Sequence, residues 1–492
     1  MAILGIIVIK LITYYLGGES PDTGPYGEYT TAFEFLAFFA IVADLGLYTV
    51  GVREMAKDEK KIPMIVGNIL TIRTIIGVLM IGTAMTSAQF IPQYIGTRIP
   101  LGVVLVGISA ILNLLTSTVS SVLQVHLKME YNSLASVLGK IVNVGYIAFT
   151  IYVLYPGNQE IGFYHLILAG IIGNAIMLGI TYYYSSKLAQ IRYRIDMEFW
   201  KDVVWKALPY GIALVLNTIY FRIGSVMLSL LRSTAEVGVY GLPMRMLEAV
   251  GIIPLYFMNA VLPVLSRSLA RKDGSHKKII QYAFDFLVMG SAPIVAGTLV
   301  LSYPIIYLIS KPEYLSNLAI GYYGSDIVLQ ILIFALAFSF INSLFGFILV
   351  ADNKQTHLLV RNAIGAVLTL VLNAIFIPYY GVRAAALNNV ITELYVALAS
   401  YFMAKRYIDF KLNLSNTSKI ILSALVMGII LSLLKDPLYT ILQNKNVFVL
   451  ITLGGIIYIG MLFATKTITK DMINMIKKPK EKDIKTEPEQ IQ

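Results

Sequence analysis

The sequence contains no cysteine, which removes disulfides, thiolate metal ligands and cysteine nucleophiles. Its histidines, His126, His165, His276 and His357, are scattered too widely along the chain for a histidine metal cluster. Charge is also scarce: 14% of residues are Asp, Glu, Lys or Arg, against about 25% in an ordinary soluble domain. A Gly-x-x-x-x-Gly-Lys-Ser/Thr loop is missing, because Gly139-Lys140 is followed by Ile141. An ATP-driven pump within this chain is thereby excluded, and no cofactor is called for. The apolar N-terminus runs into Gly17 and Gly18 without a small-residue cleavage site, so no cleavable signal is expected. What is abundant is apolar. Hydrophobic residues make up 57% of the 492, about what fourteen bilayer spans of about 20 residues each would use. One large soluble core is ruled out.

Apolar runs broken by charge or by Gly/Pro clusters place spans near 2–16, 29–50, 64–85, 100–125, 132–155, 161–185, 207–231, 237–265, 279–309, 326–350, 356–378, 382–403, 418–434 and 447–465. The first is only about 22 Å long at about 1.5 Å per residue, so its helix is expected to begin upstream. The net charge of +11 is explained by where the cations sit. Loops on one side, including 52–63, 186–206, 266–278, 351–361, 404–419 and the tail, hold 28 Lys and Arg. Those on the other hold six: Arg98, Arg232, Lys311, Arg383, Lys435 and Lys445. The positive-inside rule makes the first set cytoplasmic, with both termini inside a multi-pass cell-membrane protein. The basic excess then faces membrane lipids, and no nucleic-acid partner is expected. The segment 195–206, with Phe199, Trp200 and Trp205 among charges, reads as an amphipathic helix on the inner face.

Five cations fall inside spans: Lys10, Arg73, Lys140, Arg222 and Arg245. Facing lipid at mid-bilayer they would cost on the order of 10–15 kcal/mol together, so they must meet water, a partner or a ligand. Acids fall there too. Arg245 and Glu248, three apart, either pair with each other or leave Arg245 for a ligand. Glu34, Glu248 and Glu393 are candidates for a coupling H+ or Na+, and Asp44 reads as structural. Polar stripes recur at helical spacing: Asn113, Ser117, Ser120 and Gln124; Ser133, Ser136, Lys140 and Asn143; Asn362, Thr369 and Asn373. Each is either a cavity lining or interhelical hydrogen-bond glue.

An internal repeat is also visible. Leu123, Lys128 and Gly139 superpose on Leu349, Lys354 and Gly365, and Gly27-Glu28-Tyr29 echoes Gly238-Val239-Tyr240, which sets Glu34 opposite Arg245. The fold expected is an all-α polytopic membrane protein of about fourteen transmembrane helices. Its two pseudo-symmetric six-helix bundles are expected at 1–185 and 207–405. A linker at 186–206 joins them, two further helices occupy 406–466, and 467–492 is a disordered cytoplasmic tail.

The run Tyr15-Leu16-Gly17, Tyr26-Gly27-Glu28-Tyr29, Ala43-Asp44-Leu45-Gly46-Leu47 and Arg53-Glu54 resembles the opening of polysaccharide and oligosaccharide flippases. These belong to the multidrug/oligosaccharidyl-lipid/polysaccharide exporter superfamily, and Glu236 to Tyr240 resembles the same family's second repeat. The resemblance implies two bundles facing a central cavity and outward movement of a lipid-linked oligosaccharide, a polyprenyl-pyrophosphate glycan, by alternating access. Members often carry a cation two residues before the Leu-Gly pair ending the first span. That position is Tyr14 here, with Lys10 about one turn earlier. Lys10, Arg73, Lys140, Arg222 and Arg245 are therefore the candidate substrate-binding residues. A cation-coupled multidrug exporter of the same superfamily is the alternative, although its cavity should be dominated by acids. A membrane-embedded glycosyltransferase using Glu19 and Asp22 is a further alternative, disfavoured by short outer loops; the leading reading is not an enzyme.

Overall fold

The computed structural model describes residues 2–17, 24–271, 274–352, 354 and 356–467. Glu19, Asp22 and the tail from 468 lie outside the described residues. Fifteen α-helices follow in order: α1 (Ala2–Leu16), α2 (Pro25–Asp44), α3 (Leu47–Lys57), α4 (Ile62–Phe90), α5 (Ile99–Val125), α6 (Met129–Phe149), α7 (Gln159–Ser186), α8 (Met197–Leu231), α9 (Thr234–Arg271), α10 (His276–Ile309), α11 (Ser325–Ala351), α12 (Thr356–Tyr380), α13 (Val382–Tyr407), α14 (Leu414–Leu442) and α15 (Asn446–Ala464). No strand occurs among the described residues.

Pro25 presets the first turn of α2, and the helix ends where Leu45 and Gly46 turn left-handed, at φ 44° and 72°. The chain bends there but continues through α3 as one crossing, Pro25–Lys57. Twelve segments among the described residues are long and apolar enough to cross a membrane. Of the other helices, α1 is apolar but short, and α13 is long but rich in polar residues.

Neighbours pair in the same order twice. α4 packs on α5, α5 on α7, α6 on α7 and α2 on α5; likewise α10 packs on α11, α11 on α13, α12 on α13 and α9 on α11. α14 and α15 lie on α10. The two sets meet along α2 against α8 and α9, where the glycines equated by the repeat touch. A Cβ on Gly238 would stand 3.2 Å from the Gly27 Cα, and one on Gly27 would strike the Thr234 carbonyl. Only glycine allows this approach. The other echo is a shared turn: the Lys128 amide donates to the Leu123 carbonyl and the Lys354 amide to the Leu349 carbonyl, each at 2.8 Å.

Two details differ from the sequence reading. Residues 197–206 are the first turns of α8, unbroken into the span, because Asp196 caps the helix and the Trp200 indole donates to Asn68 Oδ1 at 2.8 Å. Phe199 and Trp200 pack against the buried cluster that includes Ile62, Ile65 and Val66, while Trp205 stays exposed. Arg361 lies inside α12 and is buried, so it leaves the loop set; the loop asymmetry becomes 27 to six.

Candidate substrate cavity

Gly139 and Gly173 bring α6 and α7 together, since a Cβ on Gly139 would stand 2.7 Å from the Gly173 carbonyl oxygen. Beside this contact α6 turns its polar stripe into a chamber of about 410 Å³ bounded by α1, α2, α5, α6 and α7. Ser109, Asn113, Ser136, Lys140, Asn143 and Asn174 line it. An adjoining trough of about 570 Å³ is apolar, built from Ile6 and Ile9 of α1, Ile305 and Leu308 of α10, and Phe448 and Ile451 of α15. Val8 and Lys140 line both spaces, and Arg245 and Glu248 stand at the trough wall.

At the centre Arg222 of α8 bridges two helices. Its Nη1 donates to Glu34 Oε2 of α2 at 2.7 Å, and its Nη2 lies 3.7 Å from Glu248 Oε1 of α9. The same-helix pair considered for Arg245 and Glu248 is therefore not formed; Glu248 pairs with Arg222. Arg245 instead lies over the Phe33 ring at 5.7 Å, and its Nε is buried without a hydrogen-bond partner. Lys140 makes no ion pair or hydrogen bond among the described residues.

The structure thus brings Lys140, Arg222, Arg245, Glu34 and Glu248 together. Three other candidates stand apart. Arg73 is fully buried in the wall, paired with Asp44 and donating to Ser117 Oγ at 2.8 Å and Thr118 Oγ1 at 2.7 Å. Lys10 lines neither space and lies 5.6 Å from the Tyr14 ring centre. Glu393 is buried on α13 beside Tyr220 and Arg361, with one oxygen lacking a hydrogen-bond partner. Ser109 and Asn174 escaped the sequence reading. Their side chains bond at 2.9 Å, and Ser109 lies one turn before Asn113, so extending that stripe by a turn would have found it.

Fold and site define a polytopic all-helical membrane protein with a divided cavity, cationic at the division. A family model described as polysaccharide biosynthesis protein matches residues 1–269, and a second, described as MatE, matches 209–375. The first covers more than half of the chain: the protein belongs to the polysaccharide biosynthesis protein family. Comparison with curated protein sequences gives no match. Among solved structures the chain is similar to the lipid II flippase MurJ in an inward closed conformation, at 15% identity and TM-score 0.72, covering 94% of this chain and 95% of that one. It is similar also to a multidrug resistance MATE family transporter in inward-facing form, at 16% identity and TM-score 0.65, covering 82% and 94%. For an outward-facing form of such a transporter the values are 17% and 0.56, again covering 82% and 94%. At these identities the likeness is one of fold.

Proposed function

We propose that the protein moves a lipid-linked oligosaccharide, an anionic polyprenyl-pyrophosphate glycan, from the inner to the outer leaflet by alternating access for assembly of a cell-surface polysaccharide. The observation that carries this reading is the seam at Lys140 and Arg245. There, Lys140, which lines both a polar chamber and an apolar trough, and Arg245 in the trough wall have no acid partner within 4.0 Å among the described residues. A polyprenyl-pyrophosphate glycan has the same order of parts: sugars for the chamber, phosphates for the seam, a hydrocarbon tail for the trough. Arginine meets phosphate with a planar fork and lysine with a point charge. The fold shared with a lipid II flippase supports the same assignment.

In this reading Arg222 exchanges its carboxylates for phosphate when substrate arrives. Glu34, relieved of its cation, then takes a coupling H+ or Na+, with Glu248 and the buried Glu393 as further candidates. Segments 1–185 and 207–405 are the two moving bodies, 186–206 is the cytoplasmic linker, and 406–466 supplies part of the trough wall. Both termini are cytoplasmic, as the 27-to-six asymmetry favours. On that topology the outer ends of the bodies are joined by Tyr94 OH with Ser229 Oγ at 2.5 Å, Gln93 Nε2 to the Leu230 carbonyl at 3.0 Å and Lys311 Nζ to the Gly17 carbonyl at 2.6 Å. Transport requires these bonds to part. A multidrug exporter for organic cations is the weaker reading, because Glu34 is occupied by Arg222 and cations outnumber acids at the centre.

The test is transport of a fluorescent short-chain polyprenyl-pyrophosphoryl sugar in proteoliposomes. For about two negative charges, an inside-negative potential of about 100 mV favours export by roughly 4–5 kcal/mol, so flux should follow an imposed potential without ATP. Lys140→Ala and Arg222→Ala should abolish it at normal folded yield, and Arg222→Lys should restore little. Strict dependence on ATP, or full transport by the double Ala variant, would overturn the proposal.

A further inference from the structure

Resting on that reading, we infer that the inner part of the N-terminal half holds a subsite for an uncharged sugar ring of the glycan. A second recess of about 280 Å³ opens at the bend between α2 and α3, lined by Asp44, Tyr48, Asn113, Leu114, Ser117 and Ser120. Asn113 belongs to both this recess and the chamber, so the two adjoin. From Asn113 to Ser120, seven residues on, α5 rises about 10 Å, longer than one sugar ring.

The recess has polar groups but no net positive charge. Arg73 is buried behind it, and its charge is answered by Asp44 Oδ1. Asp44 keeps its second carboxylate oxygen, and its side chain is 31% exposed. The Tyr48 hydroxyl donates to Gln124 Oε1, which lies outside the recess and holds the ring in place. The Asn113 amide has no hydrogen-bond partner among the described residues and offers both a donor and an acceptor.

A carboxylate oxygen, the Asn113 amide and a fixed aromatic ring complement the hydroxyls and apolar face of a neutral sugar. Phosphate finds its cations instead at Lys140 and Arg245. A uronate would face the Asp44 carboxylate with no cation left to screen it, so the subsite selects a neutral hexose or N-acetylhexosamine over an acidic sugar. Because Arg73 and Tyr48 hold the recess before substrate arrives, ordering costs little on binding.

The experiment measures Kd by thermophoresis on the purified full chain for three probes: farnesyl pyrophosphate, farnesyl-pyrophosphoryl-N-acetylglucosamine and its glucuronate counterpart. The neutral sugar should tighten binding about tenfold over farnesyl pyrophosphate, the gain expected of one or two net hydrogen bonds, and the uronate should not. Tyr48→Leu and Gln124→Leu should each remove most of that gain without weakening farnesyl pyrophosphate, and their thermal midpoints show whether the fold is kept. Persistence of the gain in both variants, or an equal gain from the uronate, would overturn the subsite. If Lys140→Ala leaves farnesyl pyrophosphate binding unchanged while Tyr48→Leu still removes the sugar gain, the anion seat falls and the subsite stands. Failure of all three probes to bind overturns both.

Discussion

α6 and α12 occupy equivalent places in the two halves and carry polar stripes of the same helical spacing, yet the stripes have different fates. On α6, Ser136, Lys140 and Asn143 face the chamber and bond to nothing among the described residues. On α12, Thr369 donates to Thr392 and Asn373 accepts from Asn388, each at 2.9 Å, and Arg361 donates to Asn342 and Ser400 at 2.9 and 2.6 Å. The neighbouring helix makes the difference. α13 offers Asn388, Thr392 and Ser400 in register with α12, whereas α7 meets α6 with Gly170 and Gly173, and its Asn174 is already bonded to Ser109. A polar stripe closes when its neighbour has another; otherwise it stays open to water or substrate.

Removing Arg361 should give the largest effect. Arg361→Ala frees the Asn362 acceptor, leaves Asn342 Oδ1 with Ser400 alone, and leaves buried Glu393 without its nearby cation. A loss on the order of 3 kcal/mol or more follows for groups buried this way, seen as a lowered thermal midpoint and poor membrane abundance. Lys140→Ala should leave the midpoint where it is. A stable Arg361→Ala protein that fails only in transport would dissolve the contrast and make the C-terminal network part of the transport path.

A smaller cost is expected at Asn373. Its partner Asn388 is buried, so Asn373→Ala leaves an amide donor unpaired at about 1–3 kcal/mol. Asn373→Ala with Asn388→Ala should cost less than the sum of the two single changes, by at least about 0.5 kcal/mol, because nothing is then left unpaired. Strictly additive midpoints would mean that the pair does not act as a unit.

The crossings were legible because apolar runs and loop charges report bilayer geometry directly. The span read at 2–16 is α1, and the one read at 382–403 lies within α13 even though that helix is polar. The repeat was legible as well, since Gly27 and Gly238 are needed where the halves touch. Cross-helix partners were not. Spacing suggested a bond between Arg245 and Glu248, but helix positions three apart compete with partners on other helices, and Arg222 reaches Glu248 from α8. Arg361 was read as a loop cation because it lies within five residues of the start of α12, where charge alone does not separate a helix end from a loop. Arg73, read from the sequence as a candidate substrate-binding residue, is likewise answered from another helix, by Asp44 on α2.

The smallest effect on stability should come from the open stripe. Ser136 and Asn143 line the chamber without bonding to other side chains, so Ser136→Ala and Asn143→Ala leave no buried group stranded. Each should shift stability by no more than about 0.5 kcal/mol, as for substitutions away from packed or bonded sites. Transport per folded protein should nonetheless fall severalfold, because the glycan loses hydrogen-bond partners that only it uses. The comparison with Asn373→Ala is informative because both remove polar side chains from equivalent helices and differ in what lies opposite. If Asn143→Ala lowered the midpoint as far as Asn373→Ala does, a helix rather than substrate would face that side chain in the working protein. The chamber would then be a closed seam, and the division of labour between the halves would fail.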